Sequence, residues 1–256
     1  MPYLIALLTL LLFSSCATSP TGRKQLLAVS ESKMSQMGAQ SFDQLKKQMK
    51  VSQDAKANQT TKCLSYDLLK AAGQNPTEWE VVVFNEKSPN AFALPGNKIG
   101  VHTGMIDLAQ NKAQLAAVIG HEIGHVLANH GNERVSQNMV VQGGLMATSI
   151  ALGGESKNSQ LVLAAVGLGA QFGVLMPFSR KHETEADKLG VQYMAAAGYD
   201  PREASRLWVI MGGAGQSPPE FLSTHPSPSS RVQYLQTYAQ KYVTTYENNR
   251  SKAKCL

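Results

Sequence analysis

Three cysteines in 256 residues are too few for a disulfide-built miniprotein, and a charged fraction of 16% falls short of the roughly 25% usual in soluble domains. A hydrophobic fraction of 43% excludes a disordered or acidic tail protein, and the length suits one well-buried domain. Basic clusters are also missing. The 24 basic against 18 acidic residues give a net +6, but no window is denser than pairs such as Arg23-Lys24 and Lys46-Lys47. That spread reads as a solvated surface or a mild attraction to an anionic membrane, and it excludes nucleic acid as an expected partner. Internal repeats are absent as well.

Charge is missing most conspicuously in two places. Met1 to Phe13 carries none and includes Leu4, Ile5, Leu7, Leu8 and Leu10, followed by Ser14-Ser15-Cys16. The run is too short to remain as a membrane-spanning helix and reads as an export segment. Small residues before Cys16 predict lipoprotein processing: residues 1–15 removed, Cys16 lipidated, residues 16–26 a flexible tether, and 27–256 a single domain. A plain secretory signal with an incidental Cys16 is the alternative, since the first residues lack the customary Lys or Arg. Export leaves Cys63 and Cys255 as an even pair in an oxidising compartment, hence a possible disulfide. The second apolar stretch, 139–177, holds only Glu155 and Lys157 as charges and is interrupted by Gly153-Gly154. Two helices joined by a loop fit it, as a buried or membrane-surface pair and possible lid; Gly167, Gly169, Gln171 and Gly173 argue against a spanning hairpin.

Elsewhere the hydrophobic spacing predicts helices over 31–49, 55–72, 112–129, 180–196, 201–211 and 228–242, and strands at 79–84, 91–94 and 98–102, with Pro95-Gly96 as a turn. Gly131 is expected to end the 112–129 helix. The class is α+β, mostly helical, with a small β-sheet beside the central helix. That helix carries His121-Glu122-Ile123-Gly124-His125. Side chains four apart on a helix share one face about 6 Å along the axis, so both imidazoles can reach one tetrahedral zinc. Glu122 stands beside that face, where its carboxylate can reach a water on the metal. A third ligand is wanted, and 180–187 offers candidates: Glu183 and Asp187 share a face, so either can bind metal while the other orients a ligand. Glu185 points away from that face, and His182 cannot share it with Glu183. His130, near the end of the helix, and His102, after the last strand, read as structural.

These motifs, with Asn90-Ala91-Phe92-Ala93-Leu94-Pro95-Gly96 upstream and His225-Pro226 followed by Arg231 downstream, resemble the HtpX and CAAX-prenyl-endopeptidase superfamily of zinc metallopeptidases. The resemblance runs over about residues 17–243 and, with the export segment, is greatest to the outer-membrane lipoprotein branch. It implies a gluzincin fold with one Zn2+ per chain held by His121, His125 and Glu183, and Glu122 as catalytic base. It further implies Asp187 and Arg231 as residues supporting the ligands, and His225 as a catalytic donor to the oxyanion. Asn90, Ala91, Phe92, Ala93 and Leu94 would form the edge strand to which an extended substrate adds. The expected activity is endopeptidase cleavage of unfolded or damaged cell-envelope proteins. The anchor would be the N-terminal lipid, facing the periplasm, and Ala17 after Cys16 resembles bacterial outer-membrane sorting. A chaperone-like binding module with a covered or structural zinc, and a zinc amidase acting on cell-wall peptides, are the other readings of the same residues.

Overall fold

The structure, a computed structural model, describes residues 16–151, 178–213, 220–225 and 229–255; the export segment and the apolar stretch beyond 151 lie outside the described residues. Its first feature corrects an expectation. The supposed tether is folded: β1 (Cys16–Thr18) pairs antiparallel with β2 (Lys24–Leu26), Ala17 opposite Gln25. Ser19 N donates to Arg23 O at 2.8 Å across the turn, and Gly22 takes φ 89°. A Ser-Pro-Thr-Gly run serves a linker and a tight turn equally well. The turn is selected because Thr21, Arg23 and Gln25 find buried partners on the body of the protein.

Helix α1 (Glu31–Gln48) starts where Ser30 accepts from Lys33 N, and α2 (Ala55–Ala71) where Asp54 accepts from Ala57 N, each oxygen satisfying a backbone donor that the first turn leaves free. Next come β3 (Glu80–Phe84), β4 (Ala91–Leu94) and β5 (Lys98–His102). They form a mixed sheet in the order β3-β5-β4, with β3 parallel and β4 antiparallel to β5. The β4–β5 hairpin turns at Gly96 and Asn97, both at positive φ (81° and 63°), which gives the turn a twist matching that of the strands. The Phe92 ring lies over Gly100, where a Cβ would come within 2.4 Å of it, and meets Phe84 and Phe42 in a small aromatic core. The strand residues named from sequence therefore form an edge strand, and its Phe92 side chain faces core.

Short α3 (Thr103–Leu108) leads to α4 (Lys112–Leu127), begun by Asn111 accepting from Gln114 N at 2.9 Å. Gly131 does not end this helix. Asn129 does, at φ 55°, in the left-handed region that asparagine tolerates better than most residues. The chain then turns back, and His130 opens α5 (His130–Ala151). Helix α6 (Arg180–Ala197) runs from the Ser179 cap to Gly198 at φ 86°. It is followed by α7 (Glu203–Gly212), α8 (Glu220–Thr224), α9 (Ser229–Gln240) and α10 (Val243–Asn249). Cys63 and Cys255 are disulfide-bonded, Cα–Cα 5.9 Å, which ties the C-terminal end to α2. Among the described residues no helix is long and apolar enough to cross a membrane.

The central packing is α4 on α6. Both bury almost their whole length, with Ile119, Ile123, Val191 and Met194 at 1% exposure or less, each such side chain contributing about 1.5–3 kcal/mol. Small residues let the two backbones touch. A Cβ on Gly190 would meet His121 N at 2.9 Å, and one on Gly124 would meet Ala186 O at 3.0 Å. Gly190→Ala is therefore expected to push the helices apart and lower stability by about 1–3 kcal/mol, read as a lower urea midpoint, whereas Gly143→Ala, with nothing within 4 Å, should change little.

Candidate metal centre

The crossing of α4 and α6 sets the candidate side chains. His121 and His125 rise from α4, and Glu183 faces them from the first turn of α6. His225 enters from the end of α8, its N–H donating to Phe221 O at 2.9 Å. All four are buried, and one ligand atom from each lies within 4.8 Å of every other. His121 Nε2 is 3.0 Å from His125 Nε2 and 3.5 Å from Glu183 Oε2. His125 Nε2 is 3.4 Å from Glu183 Oε1, and His225 Nδ1 is 3.0 Å from the same oxygen. A tetrahedron with metal–ligand bonds of about 2.0–2.1 Å has edges of about 3.3–3.4 Å, so imidazole nitrogens and a carboxylate oxygen at these separations fit a zinc ion.

The surroundings hold these ligands in place. Asp187, one turn along α6, puts Oδ1 3.0 Å from His121 Nδ1. Arg231 grips Asp187 through Nε at 2.6 Å and Nη2 at 2.8 Å, and places Nη1 2.5 Å from Glu183 Oε2. Its guanidinium lies 3.6 Å above the Trp208 ring. Glu122 Oε2 accepts from Ala93 N of β4 at 3.2 Å, while Oε1, buried and without a hydrogen-bond partner, lies 3.4 Å from His225 Nε2. A groove of about 330 Å³ runs beside β4 to His125, with Met34, Met37, Leu94, Val135 and Phe178 on its walls.

Burial pushes the Glu122 carboxyl up, and His225 and His121 offset only part of that. Burial works against ionised Glu183 too, yet His225, His121 and His125 hold it well below the usual carboxylate range. Asp187 behaves alike, its burial outweighed by Arg231 and His121. His121 is penalised by burial but lifted to about 9 by Asp187 and Glu183, whereas burial drives His125 well below 6.5. The centre thus sets fixed negative charge on Glu183 and Asp187 beside a neutral His125 and attracts positive charge, which a proton on His121 supplies until a metal cation displaces it.

His121, Glu122, His125, Glu183, Asp187, His225 and Arg231 come together in this centre, and Ala93 of β4 touches it through Glu122, but several neighbours carried no recognisable signal. His130 does not sit at a helix C-terminus. At the start of α5 it puts Nδ1 2.9 Å from His125 Nδ1 and Nε2 3.1 Å from Glu185 Oε2. Glu185 does point away from the ligands, yet it is buried rather than solvated, held by Thr21 and by Arg23 Nε at 2.7 Å. Phe178, Trp208 and Phe221 box the imidazoles, Phe221 stacking on His225 at 4.3 Å. His102 is structural, its Nδ1 3.0 Å from Ser88 O. His182 lies outside the donor set, stacked on His130 at 4.5 Å with Nε2 3.1 Å from Glu133.

The sequence profile of Peptidase family M48 matches residues 55–239, a span that takes in all four ligand candidates, Glu122, Asp187 and Arg231. The chain is 36% identical over 176 residues to the mitochondrial metalloendopeptidase OMA1 of Schizosaccharomyces pombe, covering 67% of this chain and 50% of that protein. It is 38% identical over 159 residues to the OMA1 of Arabidopsis thaliana, covering 61% and 31%. To the beta-barrel assembly-enhancing protease of Escherichia coli it is 29% identical over 205 residues, covering 77% and 42%. The chain thus spans about half the length, or less, of these relatives.

Burial and the neighbouring His130 push the His182 imidazole down to about 4, and its buried Nδ1 has no partner to receive a second proton. The unfolded chain protonates this ring near 6.5 and the folded one near 4, so the unfolded state binds more protons in between and stability rises with pH there. Acidification from pH 6.5 to 4 should cost up to about 3 kcal/mol through this group, seen as a falling urea midpoint whose pH slope is shallower in His182→Asn.

Proposed function

The chain belongs to peptidase family M48, and we propose that it is a zinc-dependent endopeptidase that cleaves unfolded or damaged proteins. The observation that carries the reading is the position of Glu122, fixed by the β4 edge through Ala93 N at 3.2 Å and buried beside the donor set of His121, His125 and Glu183. Zinc held by those three residues would supply Lewis acidity and bring the pKa of a water towards neutrality. Glu122 Oε1 is placed to hold the proton of an attacking water and to pass it to a leaving amine, and its raised affinity for protons suits both directions of transfer. The outer edge of β4, Asn90 to Leu94, where Glu122 holds Ala93 N, would pair with an extended peptide, and the adjoining groove accepts apolar side chains. Flexible segments meet that demand, folded ones do not.

An envelope setting follows from the sequence: an export segment, Cys16 for a lipid, and Ala17 after it, which together support a lipid-anchored protein facing the periplasm at the outer membrane. A relative named for enhancing β-barrel assembly lends support to a role among misassembled envelope proteins. A second reading has one observation in its favour. His225 Nδ1 stands in the ligand cluster, where it would fill the position that water needs, leaving a covered centre at rest.

Glu122→Gln should retain stoichiometric zinc yet lose cleavage of casein by at least about 10²-fold; cleavage at the wild-type rate would remove Glu122 as base. His225→Ala separates the two readings. A drop of about 10²–10³ in kcat marks an oxyanion donor, whereas a rise in activity marks a residue that covers the metal.

A further inference from the structure

We infer that His130 and Glu185 are positioning residues for His125, and that Arg23 of the N-terminal hairpin fastens the outer end of this chain of contacts. The inference rests on the reading that His125 Nε2 is a metal ligand. A ligating nitrogen must offer its lone pair, so the ring proton of His125 belongs on Nδ1, where it needs a buried acceptor. The group at that position is His130 Nδ1, 2.9 Å away. Accepting there places the His130 proton on Nε2, which faces Glu185 Oε2 at 3.1 Å. One proton arrangement alone therefore satisfies both contacts and leaves His125 Nε2 free for the metal.

The far end is tied down just as closely. Glu185 accepts from Arg23 Nε at 2.7 Å and from Thr21 Oγ1, and the same guanidinium sends Nη1 and Nη2 to the two oxygens of Glu133 at 2.7 and 2.6 Å. Glu133 in turn accepts from Gln25 Nε2 at 3.0 Å, and His182 stacks flat on His130. His121 has a direct carboxylate in Asp187, while His125 reaches its carboxylate through an intervening imidazole. The residues that close this second path, Thr21 and Arg23, come from the hairpin that begins at Cys16. The segment beside the proposed lipid anchor is in this way part of the support of the metal centre.

The test uses the full mature chain, stripped of metal and titrated with Zn2+ and Co2+ against a chelator, with the Co2+ visible spectrum and casein kcat and KM recorded alongside. His130→Ala is expected to weaken metal binding about 10–100-fold, shift the Co2+ bands and lower kcat more than KM. His130→Asn, whose amide both accepts and donates, should recover most of the loss, and Arg23→Ala should show a smaller loss in the same direction. A folded His130→Ala with wild-type affinity and an unshifted Co2+ spectrum overturns the inference. Should His130→Ala fail to fold, Glu185→Gln decides: weaker metal binding supports the inference and unchanged binding overturns it. A wild type that binds zinc but does not cleave casein defeats the peptidase reading alone, and one that binds no metal defeats both.

Discussion

Two helices that touch through their backbones fix everything else in this protein. Because Gly190 lies against His121 N and Gly124 against Ala186 O, α4 and α6 cross closely enough for Glu183 to reach the imidazoles of the helix opposite. Larger side chains at these two glycines would hold the helices farther apart and draw the carboxylate away from the imidazoles. The sheet then only has to bring one edge amide, Ala93 N, to Glu122. The short elements after α6 deliver His225 and Arg231 to the remaining side.

The cost of this arrangement is concentrated polarity. Glu122, Glu183, Glu185 and Asp187, with five histidines and Arg231 around them, are all buried, and burying unpaired charge is expensive enough that such groups are ordinarily found outside or neutralised. Here each carboxylate faces a cation or an imidazole, and the pairs continue outward to Arg231 on one side and Arg23 on the other. Polar networks of this extent restrict a core to one geometry. That restriction suits a centre whose donors must sit about 3 Å apart before any ion arrives, and it accounts for a buried interior that a purely apolar core would stabilise better.

Much of this was legible in the order of residues. The period of apolar residues located α1, α2, α4 and α6 to within a residue or two, and β-branched and aromatic runs located the three strands, because each is decided by local pattern. His121, Glu122 and His125 were legible because helical spacing puts them on usable faces; spacing left Glu183 and Asp187 as equal candidates, and the resemblance to a metallopeptidase superfamily singled out Glu183. What stayed hidden depends on single backbone angles and distant contacts. Asn129 at positive φ ends α4 early and swings His130 back onto His125, which no periodicity announces. The Ser-Pro-Thr-Gly segment looks like a tether until Glu185 and Glu133, more than a hundred residues away, are seen to hold Arg23. Trp208 and Phe178 look like ordinary core residues until one lies under Arg231 and the other against His125.

The account turns on whether His121, His125 and Glu183 together hold a metal ion. Diffraction from crystals of the purified chain, recorded on either side of the zinc absorption edge, addresses this most directly. The account predicts one anomalous peak per chain at the zinc edge, within about 2.0–2.2 Å of His121 Nε2, His125 Nε2 and a Glu183 oxygen. A zinc-replete crystal with no peak there, or with its peak bound elsewhere, would contradict it.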